Sequence, residues 1–245
     1  MRAGFLLCVS LLSSCVSAPI PMTSVKHELP AAKCLVVFLP GAGDSAASFE
    51  RYGFVDALKQ KGLSVDVIAA DATLGYYMRG IMPERLDADV LQATRSKGYQ
   101  QTWLIGMSMG GMGTLLYSHE HVDTVTGIFM LAPFLGDRSL TAEIHDAGGL
   151  AKWKAPAKVE RITSDTYQRE LWRWLQGVTA GTEKGPNLYL GWGTEDSLAP
   201  SAAVLAEALP KGHVFTTPGP HKWAPWKALL DQFLAESDFV RACQP

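Results

Sequence analysis

The sequence predicts an α/β fold, a mostly parallel sheet covered by helices on both faces and carrying a small cap. Short continuous apolar runs alternate with amphipathic stretches from Lys33 onward, which is how strands buried on both faces read when helices separate them. Several of these runs end directly in glycine-rich turns, as at Pro40-Gly41-Ala42-Gly43, the punctuation expected between a buried strand and the next helix. A chain of 245 residues that is 47 % hydrophobic can bury one full-sized core in one domain.

The elements follow in order. The run 34–39 is the first buried strand, and 48–60 reads as a helix with Phe49, Tyr52, Val55, Ala57 and Leu58 on its apolar stripe and Gly62 at its end. A second strand covers 64–70. The next helix starts at Pro83, a residue suited to a first turn, and stops near Gly98. The strand 102–106 runs through a glycine turn into a helix over 112–119. Strands at 125–131 and 187–192 bracket roughly fifty residues with one strong amphipathic helix, 167–176, so a cap built from them is small. A final strand at 213–217 and a helix over 223–235 complete the domain. No internal repeat or low-complexity run interrupts it.

Composition excludes one class of partner. The formal net charge is -2 and Lys and Arg are scattered, so the basic footprint of a nucleic-acid-binding protein is missing. The N-terminus carries an address instead. Arg2, the apolar run 3–12 and the small residues after it have the layout of a signal peptide, and the run is too short to span a bilayer. Leu12-Ser13-Ser14-Cys15 resembles the lipobox of bacterial lipoproteins, in which the cysteine is lipidated and becomes the new N-terminus. The competing cut after Val16-Ser17-Ala18 would leave Pro19 next to it, which obstructs the ordinary signal peptidase. Lipidation at Cys15 is therefore the expectation, with residues 1–14 as signal, 15–31 as a Pro-rich tether and 32–245 as the domain. By the same resemblance, Val16 beside the lipidated cysteine implies sorting to an outer membrane, with the periplasm or secretion as the alternative address.

Gly106-Met107-Ser108-Met109-Gly110 matches Gly-x-Ser-x-Gly between a strand and a helix, the setting in which a serine sits on a sharp, strained turn with its hydroxyl exposed. The bare pattern is weak evidence by itself, since it arises by chance in roughly one chain of this length in ten, and a serine there can simply cap a helix. Its context carries more than its letters. Together with the loops at 40–43, 191–200 and 218–223, the motif resembles the α/β-hydrolase superfamily over nearly all of the chain after the tether. The resemblance implies acyl-enzyme chemistry without metal or cofactor, and a triad in the order serine, acid, histidine.

Of the six histidines, His27 precedes Ser108, His119 and His121 lie at the far end of the helix after it, His145 falls in the cap and His213 leads into the last strand. His221, in the rigid loop Pro218-Gly219-Pro220 and just before the final helix, remains as the base. For the acid, the family's loop after the penultimate strand is matched by Asp196, with Glu195 beside it and Asp137 at a position some lipases use as alternatives. The resemblance assigns the oxyanion hole to the backbone N–H groups of Met109 and Ala42, with Pro40 where the family's turn has histidine; no His-Gly-Gly-Gly run is present. Tyr76, Tyr77, Phe134, Trp192 and Trp223 are candidates to line an apolar acyl pocket, although rings at such positions also serve as ordinary packing.

With Cys8 leaving with the signal and Cys15 lipidated, Cys34 and Cys243 remain. Cys34 opens its strand at the edge opposite the triad loops, and the last helix, about 20 Å long at 1.5 Å per residue, returns the chain to that edge. A disulfide between them is expected, with two unpaired thiols as the alternative. The functional expectation is a serine hydrolase acting on carboxylic esters of small or medium acyl groups in the cell envelope. A thioesterase or peptidase would use the same triad, and a membrane-tethered, non-catalytic binding protein would use the same scaffold.

Overall fold

Parallel strands covered on both faces are built from uninterrupted apolar residues, and the computed structural model, which describes residues 18–29 and 31–245, places such runs side by side. The strands are β1 (Ser24–His27), β2 (Cys34–Leu39), β3 (Val65–Ala70), β4 (Gln101–Met107), β5 (Gly127–Leu131), β6 (Asn187–Gly193) and β7 (Val214–Thr217). They form one sheet in the order β1-β3-β2-β4-β5-β6-β7. Every pairing is parallel except that of β1, which runs antiparallel to β3 at the edge.

The side-chain alternation of a strand divides the core in two. Leu35, Val37 and Leu39 of β2 enter one apolar layer, while Cys34, Val36 and Phe38 enter the other. The first layer is covered by α3 (Leu74–Met78), α4 (Met82–Leu86), α5 (Met109–Glu120), α6 (Arg138–Asp146), α7 (Tyr167–Thr179) and α8 (Ala199–Ala206). The second lies under α1 (Ala46–Arg51), α2 (Phe54–Gln60), α9 (Trp223–Glu236) and α10 (Asp238–Ala242). Because the strands from β2 to β7 run the same way, the turns after β2, β4, β6 and β7 all leave from one edge of the sheet. The small cap is the segment between β5 and β6 that holds α6 and α7. Glu170 of α7, fully buried, binds Arg173 and the Nε2 of His119 at the end of α5 (3.1 Å), tying cap to core.

Several expectations need correction. The helix expected over 48–60 is two helices, because Gly53 adopts a left-handed φ of 75° between α1 and α2, a conformation that ends a right-handed helix. The helix from Pro83 is regular only through α4, then widens into a π turn over Asp87–Leu91 and tightens into a 3₁₀ turn over Gln92–Lys97 before Gly98. Part of the segment read as a tether is folded: β1 lies within 15–31, and Met22 is buried with its N–H on Asp89 (2.7 Å). The backbone of an edge strand needs a partner on one side only, so four residues, three half-buried and Lys26 exposed, suffice and leave little apolar signal. The short helices α3, α6, α8 and α10 were not foreseen. The signal segment 1–14, Cys15 and the rest of residues 1–17 lie outside the described residues.

Cys34 and Cys243 are joined in a disulfide with their Cα atoms 5.7 Å apart. The bond sits at the edge of the sheet opposite the turns after β2 and β4, where Ser64 N–H also donates to the carbonyl of Cys243 (2.7 Å). No helix among the described residues is long and apolar enough to cross a membrane.

Candidate active site

β4 ends at Met107 and α5 begins at Met109, leaving Ser108 alone to turn the chain. Its φ of 53° and ψ of −118° lie in a region L-residues avoid, at a cost of about 1–3 kcal/mol that the surroundings must offset. They do so through the backbone: Ser108 N–H donates to Leu131 (2.9 Å), and its carbonyl accepts from Gly111 (3.0 Å) and Phe134 (2.9 Å). The flanking glycines are required by contact. A Cβ on Gly106 would stand 2.2 Å from the carbonyl oxygen of Gly110, and one on Gly110 would stand 2.1 Å from that of Leu39. Strand, elbow helix and the turn after β2 therefore pack backbone against backbone.

That turn abuts the serine, since a Cβ on Gly41 would meet the Ser108 Cβ at 3.4 Å. On the other side, β6 and β7 bring two further loops together. Gly193 lies so close to the 218–220 loop that a Cβ on it would be 2.1 Å from the Gly219 carbonyl oxygen, and Glu195 N–H donates to that same carbonyl (3.2 Å). The result is a hydrogen bond between groups 25 residues apart: His221 Nδ1 meets Asp196 Oδ2 at 2.7 Å. The Asp196 carboxylate is buried, and its other oxygen accepts the Leu198 N–H at 2.8 Å. The alternative acids stand elsewhere. Glu195 is exposed, and Asp137 precedes α6 and accepts Gln168 Nε2 at 3.0 Å.

Ser108 and His221 line one open cavity of about 560 Å³, together with Gly41, Ala42, Asp44, Tyr52, Lys222, Trp223, Ala224 and Trp226. Trp226 packs edge-on against the His221 ring at 4.8 Å, which limits how the imidazole can turn. Ala42 thus stands at the cavity, and the N–H of Met109, first residue of α5, has no helical acceptor four residues before it. Among the described residues no cluster of three or more His, Cys, Asp or Glu side chains is arranged to hold a metal ion.

Of the aromatic residues expected at an acyl pocket, only Trp223 lines this cavity. Tyr76 is wholly buried in the core, its hydroxyl donating to the Pro19 carbonyl. Tyr77 lies against Gly113 of the elbow helix with a buried hydroxyl, whose ionisation burial pushes upward. Phe134 lines a separate small cleft with Met112, Leu115 and Trp172. Trp192 packs between the two apolar layers. Conversely, Tyr52, Trp226, Asp44 and Lys222 were missed; the helical stripe reading placed Tyr52 inward, and only the break at Gly53 turns it out. No residue of the cap between β5 and β6 lines the cavity.

Comparison with known proteins agrees with this architecture. A family model described as the alpha/beta hydrolase family matches residues 36–243. No curated protein matches the sequence. Among solved structures, one of a carboxylesterase study of the ammonia-oxidizing Thaumarchaeon Nitrososphaera gargenis is similar at TM-score 0.58 and 16 % identity, covering 92 % of this chain and 98 % of that one. A ferulic acid esterase is similar at TM-score 0.58 and 12 % identity over 90 % and 98 % of the two chains. A monoacylglycerol lipase of Paleococcus ferrophilus is similar at TM-score 0.53 and 16 % identity over 88 % and 99 %. At these identities the likeness is one of fold.

Proposed function

Because the chain belongs to the α/β-hydrolase family, we propose that it is a serine hydrolase that cleaves carboxylic esters of small or medium acyl groups through an acyl-enzyme on Ser108. The observation that carries the reading is a strained Ser108 that lines one cavity with His221, whose Nδ1 is held 2.7 Å from a buried Asp196. A serine hydroxyl is a weak nucleophile at neutral pH and needs a base, and the base needs a partner that fixes its tautomer. Asp196 accepts the Nδ1–H of His221, which leaves Nε2 free to take the Ser108 proton as Oγ attacks the ester carbon. The carbonyl oxygen becomes an oxyanion that the N–H groups of Ala42 and Met109 stabilise. On collapse the ester C–O bond breaks and His221 returns the proton to the departing alcohol. Water, deprotonated by His221 in turn, then releases the acid and restores Ser108. The cavity is within the size range of small-molecule sites.

A fluorophosphonate probe tests this directly, since it labels only an activated serine. The wild-type protein is expected to label and Ser108→Ala to remain blank; a folded wild-type protein that does not label would point to a non-catalytic binding protein on the same scaffold. The N-terminal reading is a proposal of the same kind. A lipidated Cys15 would tether the enzyme to the cell envelope of a bacterium, at the outer membrane. Several acyl chains, at about 0.8 kcal/mol per buried methylene, make such an anchor effectively permanent. Metabolic incorporation of a palmitate analogue is expected in the wild type and lost in Cys15→Ala, and label persisting in that variant refutes lipidation at this residue.

A further inference from the structure

An aromatic wall of the cavity runs outward from the base. The His221 ring meets Trp226 at 4.8 Å, Trp226 meets Trp223 at 5.5 Å, and Tyr52 stacks on Trp223 at 4.4 Å with 11° between planes; none of these three aromatic residues beyond His221 has a part in the acyl-transfer steps. Trp223 is held from several directions. Phe49 and Phe54 contact it edge to face at 5.5 and 5.3 Å, and its Nε1–H donates to Asp44 Oδ1 at 3.1 Å. Tyr52, by contrast, is 42 % exposed at the cavity although the helical pattern would bury it. Its position at the end of α1, just before the left-handed Gly53, turns it outward. A flat ring fixed by stacking and left in water is preorganised to accept another flat ring at little further ordering cost.

We propose that Tyr52 and Trp223 form a stacking wall that selects esters whose alcohol carries a planar aromatic group. The inference rests on the ester-cleaving reading of Ser108. The alcohol side follows from proton transfer: His221 must protonate the departing oxygen, so the leaving group stands beside His221, where the wall begins. Among the described residues the rings that line this cavity are those of Tyr52, Trp223, Trp226 and His221, whereas Tyr76, Phe134 and Trp192 do not line it.

The test compares benzyl and cyclohexylmethyl esters of the same short acid, which match in size and differ in the flatness of the alcohol. The wild type is expected to favour the benzyl ester in kcat/KM, chiefly through KM, and Tyr52→Ala to reduce that preference roughly fivefold, the scale of a stacked ring pair. Tyr52→Phe, which keeps the ring, is expected to retain it. An unchanged preference in Tyr52→Ala, or an equal loss on both esters, overturns the wall. A wild type that cleaves both esters with the same kcat/KM also overturns it, while leaving the ester reading in place. A wild type that cleaves neither, or a Ser108→Ala protein that cleaves both, overturns the ester reading itself.

Discussion

On p-nitrophenyl acetate, Ser108→Ala and His221→Ala are each expected to lower kcat by roughly 10⁴- to 10⁶-fold, with Asp196→Asn somewhat less severe. In the proposed mechanism the groups act as a unit. Without His221 the Ser108 proton would have no acceptor, and without Ser108 there would be no atom to acylate, so the double variant should lose little beyond either single one. In the proposed mechanism Asp196 differs because it orients the base: it is buried and spends one oxygen on Leu198 N–H and the other on His221. The asparagine variant keeps the shape of the group while replacing the charge that stabilises the imidazolium. Glu195→Gln and Asp137→Asn serve as controls, since the first side chain is exposed and the second is engaged with Gln168; both are expected to keep kcat within about twofold. A His221→Ala protein with more than about a tenth of wild-type kcat would show that another group is the base.

The second large effect is on stability. The replacement of both Cys34 and Cys243 by alanine is expected to destabilise the domain by up to about 5 kcal/mol on the chain-entropy account, a drop in Tm on the order of 10 °C for a domain of this size. The bridge spans 209 residues of sequence, nearly the whole folded chain, so its main effect is on the unfolded ensemble, which it holds closed. The folded tail has other attachments. Phe239 packs against Trp103 at 5.1 Å and Phe233 at 5.4 Å, and Ser64 N–H holds the Cys243 carbonyl. Native structure near α10 should therefore survive the substitution while melting shifts. Thermal unfolding of the oxidised wild type, the reduced wild type and the double variant measures this. A double variant that melts within about 2 °C of the oxidised wild type would contradict the entropic account and place the bond's contribution elsewhere.

What could be read from the residues alone is what local chemistry dictates. The central strands announce themselves because a strand covered on both faces is apolar along most of its length, and the strand, glycine turn and helix around Ser108 are contiguous in sequence. His221 was reachable because chain order and loop composition left few competitors. The acid stayed divided among Asp196, Asp137 and Glu195 on residues alone. Only the packing of Gly193 against the 218–220 loop sets Asp196 on the imidazole and turns Glu195 to solvent. The aromatic residues were least legible, because a ring has the same local pattern whether it fills a core or walls a cavity. Tyr76 went to the core and Tyr52 to the cavity through a one-residue break at Gly53 and the way the helices cover each face. Burial is a property of the assembled layers, so the sequence by itself marked the apolar strands and the strand, turn and helix around Ser108, and the tertiary structure alone decided the edge strand β1, the short helices and which side chains share a cavity.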